Sequence, residues 1–180
     1  MKATVFIDVQ NDFIDGSLGV DKNHAVADRI LDYARLCKDN GVLTVATKDI
    51  HFKETYHDSL EGEKIGIEHC IEGTKGAQLY GNLEKYIDRT FVKTTFMSKD
   101  LGEFFENLAA SCKLDEIEII GFVSSVCVIS NALYLRGLLP NTKISIVKEF
   151  CADVTDERTT AALDIASCNA ITVYDGRCAV

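Results

Sequence analysis

The 180-residue chain lacks the features that mark secreted and membrane-spanning proteins. Its seven cysteines lie far apart and include no CxxC pair, so they do not read as a disulfide framework. The first apolar run ends at Asp8, too early for a signal peptide, and no run approaches the length that spans a membrane. These absences predict a cytoplasmic protein with free thiols and no membrane partner.

Runs of like charge, internal repeats, linkers and low-complexity segments are also missing. The formal net charge of −9 is scattered along the chain, and such a negative field repels phosphate backbones, which argues against nucleic acid as a partner. A hydrophobic content of 47% with 26% charged residues is typical of a folded globular protein. With the chain length, this composition predicts one domain over residues 1–180.

Strand and helix patterns alternate from one end of the chain to the other. Short apolar runs predict strands at 4–7, 42–46, 90–92, 116–122, 143–147 and 170–174. Helical spacing of apolar residues predicts helices at 24–40, 77–87, 101–112, 125–137 and 156–168. This order indicates an α/β fold of three layers, in which a mostly parallel sheet has helices on both faces.

Polar and nucleophilic residues follow several predicted strands, where parallel sheets bind their ligands. One of them, Cys127, opens a predicted helix in a segment that begins with small residues after the strand 116–122. A thiol at a helix N-terminus is expected to have a lowered pKa, and the unpaired amides there can hold an oxyanion. The alternative interpretation is a buried helical cysteine without a chemical role.

Asp8 and Lys93 also come directly after predicted strands. A carboxylate at the position of Asp8 could shuttle a proton to and from a neighbouring thiol, and a lysine beside both would stabilise their anionic states. Taken singly, each residue has a simpler interpretation. An aspartate after a strand is commonly a turn or N-cap residue, and most lysines are exposed.

Residues 49–75 show no sustained period and hold three of the four histidines, so they predict a long functional loop. Asp49, His51 and His69 form a ligand set that suits zinc, with iron or manganese as alternatives, and His57 is a further candidate ligand. The competing interpretation is a loop of solvated histidines. His24 lies near a predicted helix start, outside this loop, and is interpreted as structural.

Three segments taken in order resemble the isochorismatase-like cysteine hydrolase superfamily. Residues 8–13 read D-V-Q-N-D-F and match its D-x-Q-x-D-F opening, and residues 93–98 are similar to its K-x-x-x-x-S segment. Residues 121–128 resemble its G-x-x-x-x-x-C-V turn around the nucleophile. The resemblance covers nearly the whole chain and implies the isochorismatase-like hydrolase fold.

The resemblance also implies roles for individual residues. Asp8, Lys93 and Cys127 would form the catalytic triad, and Cys127 would attack an amide carbonyl to give a thioester. A cis peptide bond would join Phe122 to Val123, and the amides of Val123 and Cys127 would form the oxyanion hole. Many family members form dimers or larger assemblies, which makes a homo-oligomer an expectation here.

Within the superfamily the chain is most similar to the nicotinamidases. Asp49-Ile50-His51 and the stretch 69–77 resemble their D-x-H and H-C-x-x-G-T-x-G-A segments, which implies a bound metal that meets the pyridine nitrogen. Phe13 would form one wall of the ring pocket. Nicotinamidases usually carry a tryptophan and a proline shortly before the H-C pair, whereas this chain has Gly66 and Ile67 and no tryptophan at all. The resemblance of the metal segments predicts nicotinamide as the substrate, within a role in NAD salvage. The missing tryptophan keeps another small amide as the alternative.

Two other classes of function compete with this prediction. A phosphatase of the haloacid dehalogenase type would need a second aspartate two residues after the first, and Gln10 occupies that position. A superfamily member kept for binding alone would be expected to lose triad residues, and Asp8, Lys93 and Cys127 are all present.

Overall fold

The computed structural model describes residues 1–176, so Cys178 lies outside the described residues. Within them one sheet has the strands β1 (Lys2–Ile7), β2 (Leu43–Asp49), β3 (Arg89–Lys93), β4 (Glu116–Phe122), β5 (Lys143–Ala152) and β6 (Thr172–Tyr174). All neighbouring strands run parallel, in the order β3-β2-β1-β4-β5-β6. This sheet confirms the predicted α/β fold.

The helices are α1 (Asn11–Ile14), α2 (Lys22–Asp39), α3 (Leu60–Ile65), α4 (Lys99–Ser111), α5 (Ile129–Leu138) and α6 (Asp156–Cys168). Successive residues of a strand point to opposite faces of the sheet. Val5 of β1 accordingly packs in one apolar cluster with Leu135 of α5 and Leu163 of α6. Phe6 packs in the other cluster with Ile30 of α2, which gives the three predicted layers. No helix in this described part of the chain is long and apolar enough to cross a membrane.

Several predicted elements differ from the structure. The predicted helix at 77–87 is wrong, because the backbone at its start pairs with the segment after β1 and only Leu83–Tyr86 form a short 3₁₀ turn. The amide of Tyr80 donates to the carbonyl of Val9 at 2.8 Å. Strand β5 continues five residues beyond the predicted end, to Ala152. The predicted loop at 49–75 contains the short helix α3.

The two central strands approach each other closely where they end. Ile7 of β1 and Gly121 of β4 are register partners. Gly121 has φ of 130°, and a Cβ at this position would lie 2.1 Å from the carbonyl oxygen of Ile7. Asp8, which follows Ile7 at the end of β1, has φ of 47°. Gly121 therefore permits the close approach of β4 to Ile7, and Asp8 departs from strand geometry directly after β1.

Candidate active site

Four predicted site residues meet at the carboxyl edge of the sheet. Asp8 follows β1, Asp49 ends β2, Lys93 ends β3, and Cys127 lies in a π-helical turn, Ser124–Val128, directly after β4. These four strands are adjacent in the sheet, so their ends converge. Asp8 is fully buried, and Lys93 and Cys127 are 5% and 4% exposed.

Lys93 is the shared partner of this group. Its Nζ lies 2.8 Å from Oδ2 of Asp8, 3.3 Å from Oδ1 of Asp49 and 3.6 Å from Sγ of Cys127. The hydroxyl of Thr47 donates to the other oxygen of Asp8 at 2.6 Å. Oδ2 of Asp8 and Oδ1 of Asp49 have no hydrogen bond of good geometry, so both buried oxygens depend on the positive charge of Lys93.

Burial and mutual charge set the proton affinities of the three groups. Burial raises the pKa of Asp8, and the charge of Lys93 offsets that rise only in part. Burial lowers the pKa of Lys93, but the negative charges around it outweigh burial and hold that pKa well above its usual value. Burial also raises the pKa of Cys127, which Lys93 lowers and Asp8 raises again. The expectation of a lowered thiol pKa is therefore wrong, because Cys127 is enclosed beside carboxylates. Asp8 belongs to the same buried group and is a carboxylate that can accept the thiol proton.

The turn that carries Cys127 is fixed by backbone and side-chain hydrogen bonds. The amide of Val128 donates to the carbonyl of Val123 at 3.2 Å, and the amide of Ser125 donates to the carboxylate of Asp153 at 2.7 Å. The peptide bond between Phe122 and Val123 is cis, as the resemblance implied.

A second polar group lies directly beside Lys93. Asp49, His51, Glu61 and His69 each place a ligand atom within 4.8 Å of the others. Oδ2 of Asp49 lies 3.0 Å from Nε2 of His51 and 3.5 Å from Nε2 of His69. Oε1 of Glu61 is 3.7 Å from each of the same two nitrogens. Two imidazoles and two carboxylates that converge in this way fit a divalent transition metal.

The surroundings of His69 orient it as a ligand. Its Nδ1 lies 2.9 Å from the hydroxyl of Tyr56 and 3.0 Å from the carbonyl oxygen of Ile67, so a proton on Nδ1 is hydrogen-bonded. That arrangement leaves Nε2 facing the acids. Tyr56 and Ile67 orient His69 in the way that outer-shell hydrogen bonds orient histidine ligands in metal sites. Burial lowers the pKa of His69, but its hydrogen bonds with Asp49 and Glu61 outweigh burial and raise that pKa to about 9. The acids therefore favour a cation at this point, as a proton or as a metal.

The structure differs from the sequence prediction in one member of the ligand set. His57 lies outside the group: its side chain is 59% exposed, and its Nε2 is 3.4 Å from a carboxylate oxygen of Glu68. Glu61, which the sequence prediction missed, lies in the first turn of α3 and reaches the two buried histidines instead. Its place in the same loop, four residues after His57, was the available signal.

The segment after β1 connects both groups. Gln10 accepts the amide hydrogen of Asp49 and donates to the carbonyl of the same residue, each at 2.8 Å. The buried ring of Phe13 meets the ring of His69 edge-on, with 5.7 Å between centroids. The opening motif therefore supplies Asp8, a brace for Asp49 and a buried aromatic ring against His69.

Comparison with known proteins fits this geometry. The isochorismatase domain matches residues 2–175. The chain belongs to the isochorismatase family. This isochorismatase-family chain is 29% identical over 185 residues to the nicotinamidase/pyrazinamidase of Mycobacterium tuberculosis, covering 92% of the chain and 98% of that relative. Such relatives are amide hydrolases, and the chain is an amidohydrolase of the same family.

Solved structures show the fold of the isochorismatase-family chain independently. A nicotinamidase from Bacillus subtilis superposes with a TM-score of 0.81 at 23% identity, over 97% of this chain and 99% of that one. The pyrazinamidase of Pyrococcus horikoshii, solved in complex with zinc, gives a TM-score of 0.79 at 21% identity, over 96% and 97% of the two chains.

Proposed function

We propose that the protein is a metal-assisted amidohydrolase that converts nicotinamide and water to nicotinate and ammonia through a thioester on Cys127. The observation that carries the proposal is the position of Lys93. This one ammonium group contacts Cys127, the carboxylate of Asp8 and the metal-facing Asp49. A nucleophile with its base thus lies directly beside a group suited to a transition metal. The similarity to a nicotinamidase/pyrazinamidase supports the choice of substrate.

In the first half of the reaction, Asp8 acts as the general base. It takes the thiol proton of Cys127 while the sulfur attacks the amide carbonyl, and the raised pKa of Asp8 makes it a stronger base. The amides of Val123 and Cys127 are the proposed donors to the tetrahedral oxyanion. Asp8 then gives its proton to the departing nitrogen, which leaves as ammonia, and the acyl group stays on sulfur as a thioester.

In the second half, the same groups hydrolyse the thioester. Asp8 takes a proton from water as the water oxygen attacks the thioester carbonyl. The tetrahedral intermediate collapses to nicotinic acid and the thiolate of Cys127, which recovers its proton from Asp8. The acid then ionises to nicotinate, and the proton it loses converts the released ammonia to ammonium. The positive charge of Lys93 stabilises the anionic forms of both partners throughout, because it contacts each of them.

The metal ligands we propose are Asp49, His51 and His69, with Glu61 as a fourth. A divalent metal held by these residues would supply a Lewis-acidic centre for the pyridine nitrogen of the substrate. Zinc is the proposed ion, with iron or manganese as alternatives, and the zinc complex of the Pyrococcus horikoshii pyrazinamidase supports this choice. Phe13 is the proposed aromatic wall beside the ring.

A second candidate function is the hydrolysis of another small amide by the same residues. The absence of tryptophan from the sequence favours it, because the wall that this residue forms in nicotinamidases must be built differently here. A binding role without catalysis is disfavoured by the contacts among Asp8, Lys93 and Cys127. The phosphatase alternative is disfavoured because Gln10 braces Asp49.

The proposed setting is nicotinamide salvage for NAD synthesis in a reducing cytoplasm. The six cysteines among the described residues are all free, which supports a reducing compartment. A homo-oligomer remains part of the proposal as an expectation from the family.

The deciding experiment measures ammonia release from nicotinamide by the purified protein, before and after a chelator removes bound metal. Cys127→Ala should abolish release, while Cys168→Ala, which alters an exposed thiol on α6, should retain it. Benzamide, which lacks the ring nitrogen, tests whether that nitrogen is required. Release from benzamide that equals release from nicotinamide would reject the proposed substrate, and full activity of Cys127→Ala would reject the mechanism.

A further inference from the structure

Asn131 is a fully buried polar residue on α5, one helical turn after Cys127. We propose that Asn131 is a positioning residue that fixes the turn carrying Cys127 against the segment that follows Lys93. The inference concerns how two residues of the proposed mechanism are held at their working separation, and its kinetic test rests on the proposed function.

The side-chain amide of Asn131 is hydrogen-bonded at both its ends. Its Nδ2 donates to the carbonyl of Cys127 at 2.7 Å and to the carbonyl of Phe96 at 3.0 Å. Its Oδ1 accepts the amide hydrogen of Ser98 at 2.9 Å. Both N–H groups and the acceptor are therefore used, and the three partners fix which way the amide points. One side chain thus binds the backbone of the proposed nucleophile and two points of the segment 94–98.

The sheet brings Lys93 and Cys127 to the same edge but does not pair their strands directly. Lys93 ends β3, and the turn of Cys127 follows β4, while β2 and β1 lie between these two strands. No strand ladder therefore joins the two residues whose Nζ and Sγ atoms lie 3.6 Å apart. Asn131 supplies a direct side-chain connection between the two segments above the sheet edge.

The segment after Lys93 also needs an external tie. Phe96 and Met97 are 39% and 42% exposed, so the apolar side chains of the segment contribute little anchoring. Ser98 caps α4 through its hydroxyl, which accepts from the amide of Leu101 at 3.2 Å, and its own amide is the group bound by Asn131. Without Asn131 the segment would keep its connection to α4 and lose its connection to the nucleophile turn.

The test compares three variants by steady-state kinetics, thermal unfolding and crystal structures. Asn131→Ala removes all the contacts. Asn131→Ser places a hydroxyl that can donate to the carbonyl four residues earlier, that of Cys127, but cannot reach the segment after Lys93. Ser145→Ala is the matched control: it removes a buried hydrogen bond to Glu116, 2.7 Å long, at the opposite end of the sheet.

We expect Asn131→Ala to lower kcat about 100-fold, with KM changed less than about threefold and the distance between Nζ of Lys93 and Sγ of Cys127 longer by about 1 Å. Asn131→Ser should show the same lengthening and a similar loss of kcat. Ser145→Ala should also lower the unfolding temperature, because it removes a buried hydrogen bond, and should leave kcat and the distance unchanged. A purely structural role for Asn131 would make the two sites behave alike.

Three results would overturn the inference: an unchanged distance in Asn131→Ala, an equal loss of kcat in Ser145→Ala, or full activity in Asn131→Ser. If Asn131→Ala does not fold, the distance and the kcat of Asn131→Ser are compared with those of Ser145→Ala instead. The crystallographic distance is independent of substrate. A wild-type protein that does not cleave nicotinamide, with the distance lengthened in the variants, would reject the proposed substrate and support the role of Asn131.

Discussion

Replacing Lys93 by methionine should destabilise the fold as well as the proposed reaction. The substitution keeps a long apolar stem and removes the charge that faces two buried carboxylates, Asp8 and Asp49, at 2.8 and 3.3 Å. The facing oxygen of each carboxylate has no hydrogen bond of good geometry. Lys93→Met therefore leaves uncompensated charge in a site that water barely reaches.

The size of the effect follows from this geometry. A unit charge pair 2.8 Å apart attracts by about 6 kcal/mol at an effective dielectric constant of 20, and the desolvation of the lysine offsets part of that attraction. Removing one partner of such a buried pair costs about 3–5 kcal/mol, and we expect a loss of that size near neutral pH. Lys99→Met is the control: it breaks an exposed pair with Glu103 and should cost less than about 1 kcal/mol.

The loss of stability in Lys93→Met should depend on pH. Burial raises the pKa of Asp8, and without Lys93 nothing of comparable size lowers it. A carboxyl whose folded pKa is raised stabilises the fold at low pH, and that contribution is lost as pH rises through the folded pKa. The loss in Lys93→Met should thus be smaller near about pH 5 than near about pH 8. Urea unfolding in the presence of a chelator measures both, and a loss below about 1 kcal/mol at each pH would refute the reasoning.

Three further predictions test the site and its support. Asp8→Asn should retain the fold, because asparagine tolerates the positive φ. It should lower the kcat for nicotinamide about 10²–10⁴-fold, and a change confined to KM would contradict its role as base. Glu61→Gln should weaken zinc binding, measured by competition with a chromophoric chelator, by at least about tenfold, whereas His57→Ala should leave it unchanged; the reverse order would show that His57 is the ligand. Ser98→Ala removes the N-cap of α4 and should lower the free energy of unfolding by about 1 kcal/mol in urea, and no loss would show that the cap is replaced by water.

The apolar runs predicted where β1, β3 and β4 end to within one residue, and these ends precede or carry Asp8, Lys93 and Cys127. Asp8, Asp49 and Lys93 each end or follow an apolar run, and in a parallel sheet such positions share one edge. Strand β4 and helix α6 have the bounds that the apolar patterns predicted. The local patterns are strong here because helices cover both faces of the sheet and its strands are mainly apolar, although β4 also contains the fully buried Glu118.

What the sequence could not give depends on tertiary contacts. The segment 77–87 has weak helical spacing, but its backbone is bound by residues after β1 that lie far away along the chain. Glu61, and not His57, joins the ligand group because the position of α3 brings Glu61 to the two buried histidines. The raised pKa of Cys127 depends on burial beside Asp8, which a position at a helix start does not reveal.

Gly121 has a consequence for sequence variation around the nucleophile. Position 121 requires glycine because a neighbouring backbone lies so close that even a methyl group would overlap the carbonyl of Ile7. Its role is therefore separable from the chemistry of Cys127, although both belong to one short motif. A mutant library aimed at new amides would hold residue 121 constant as a folding requirement. Diversity would then be directed to the lining of the pocket, where the missing tryptophan leaves the choice of side chain open.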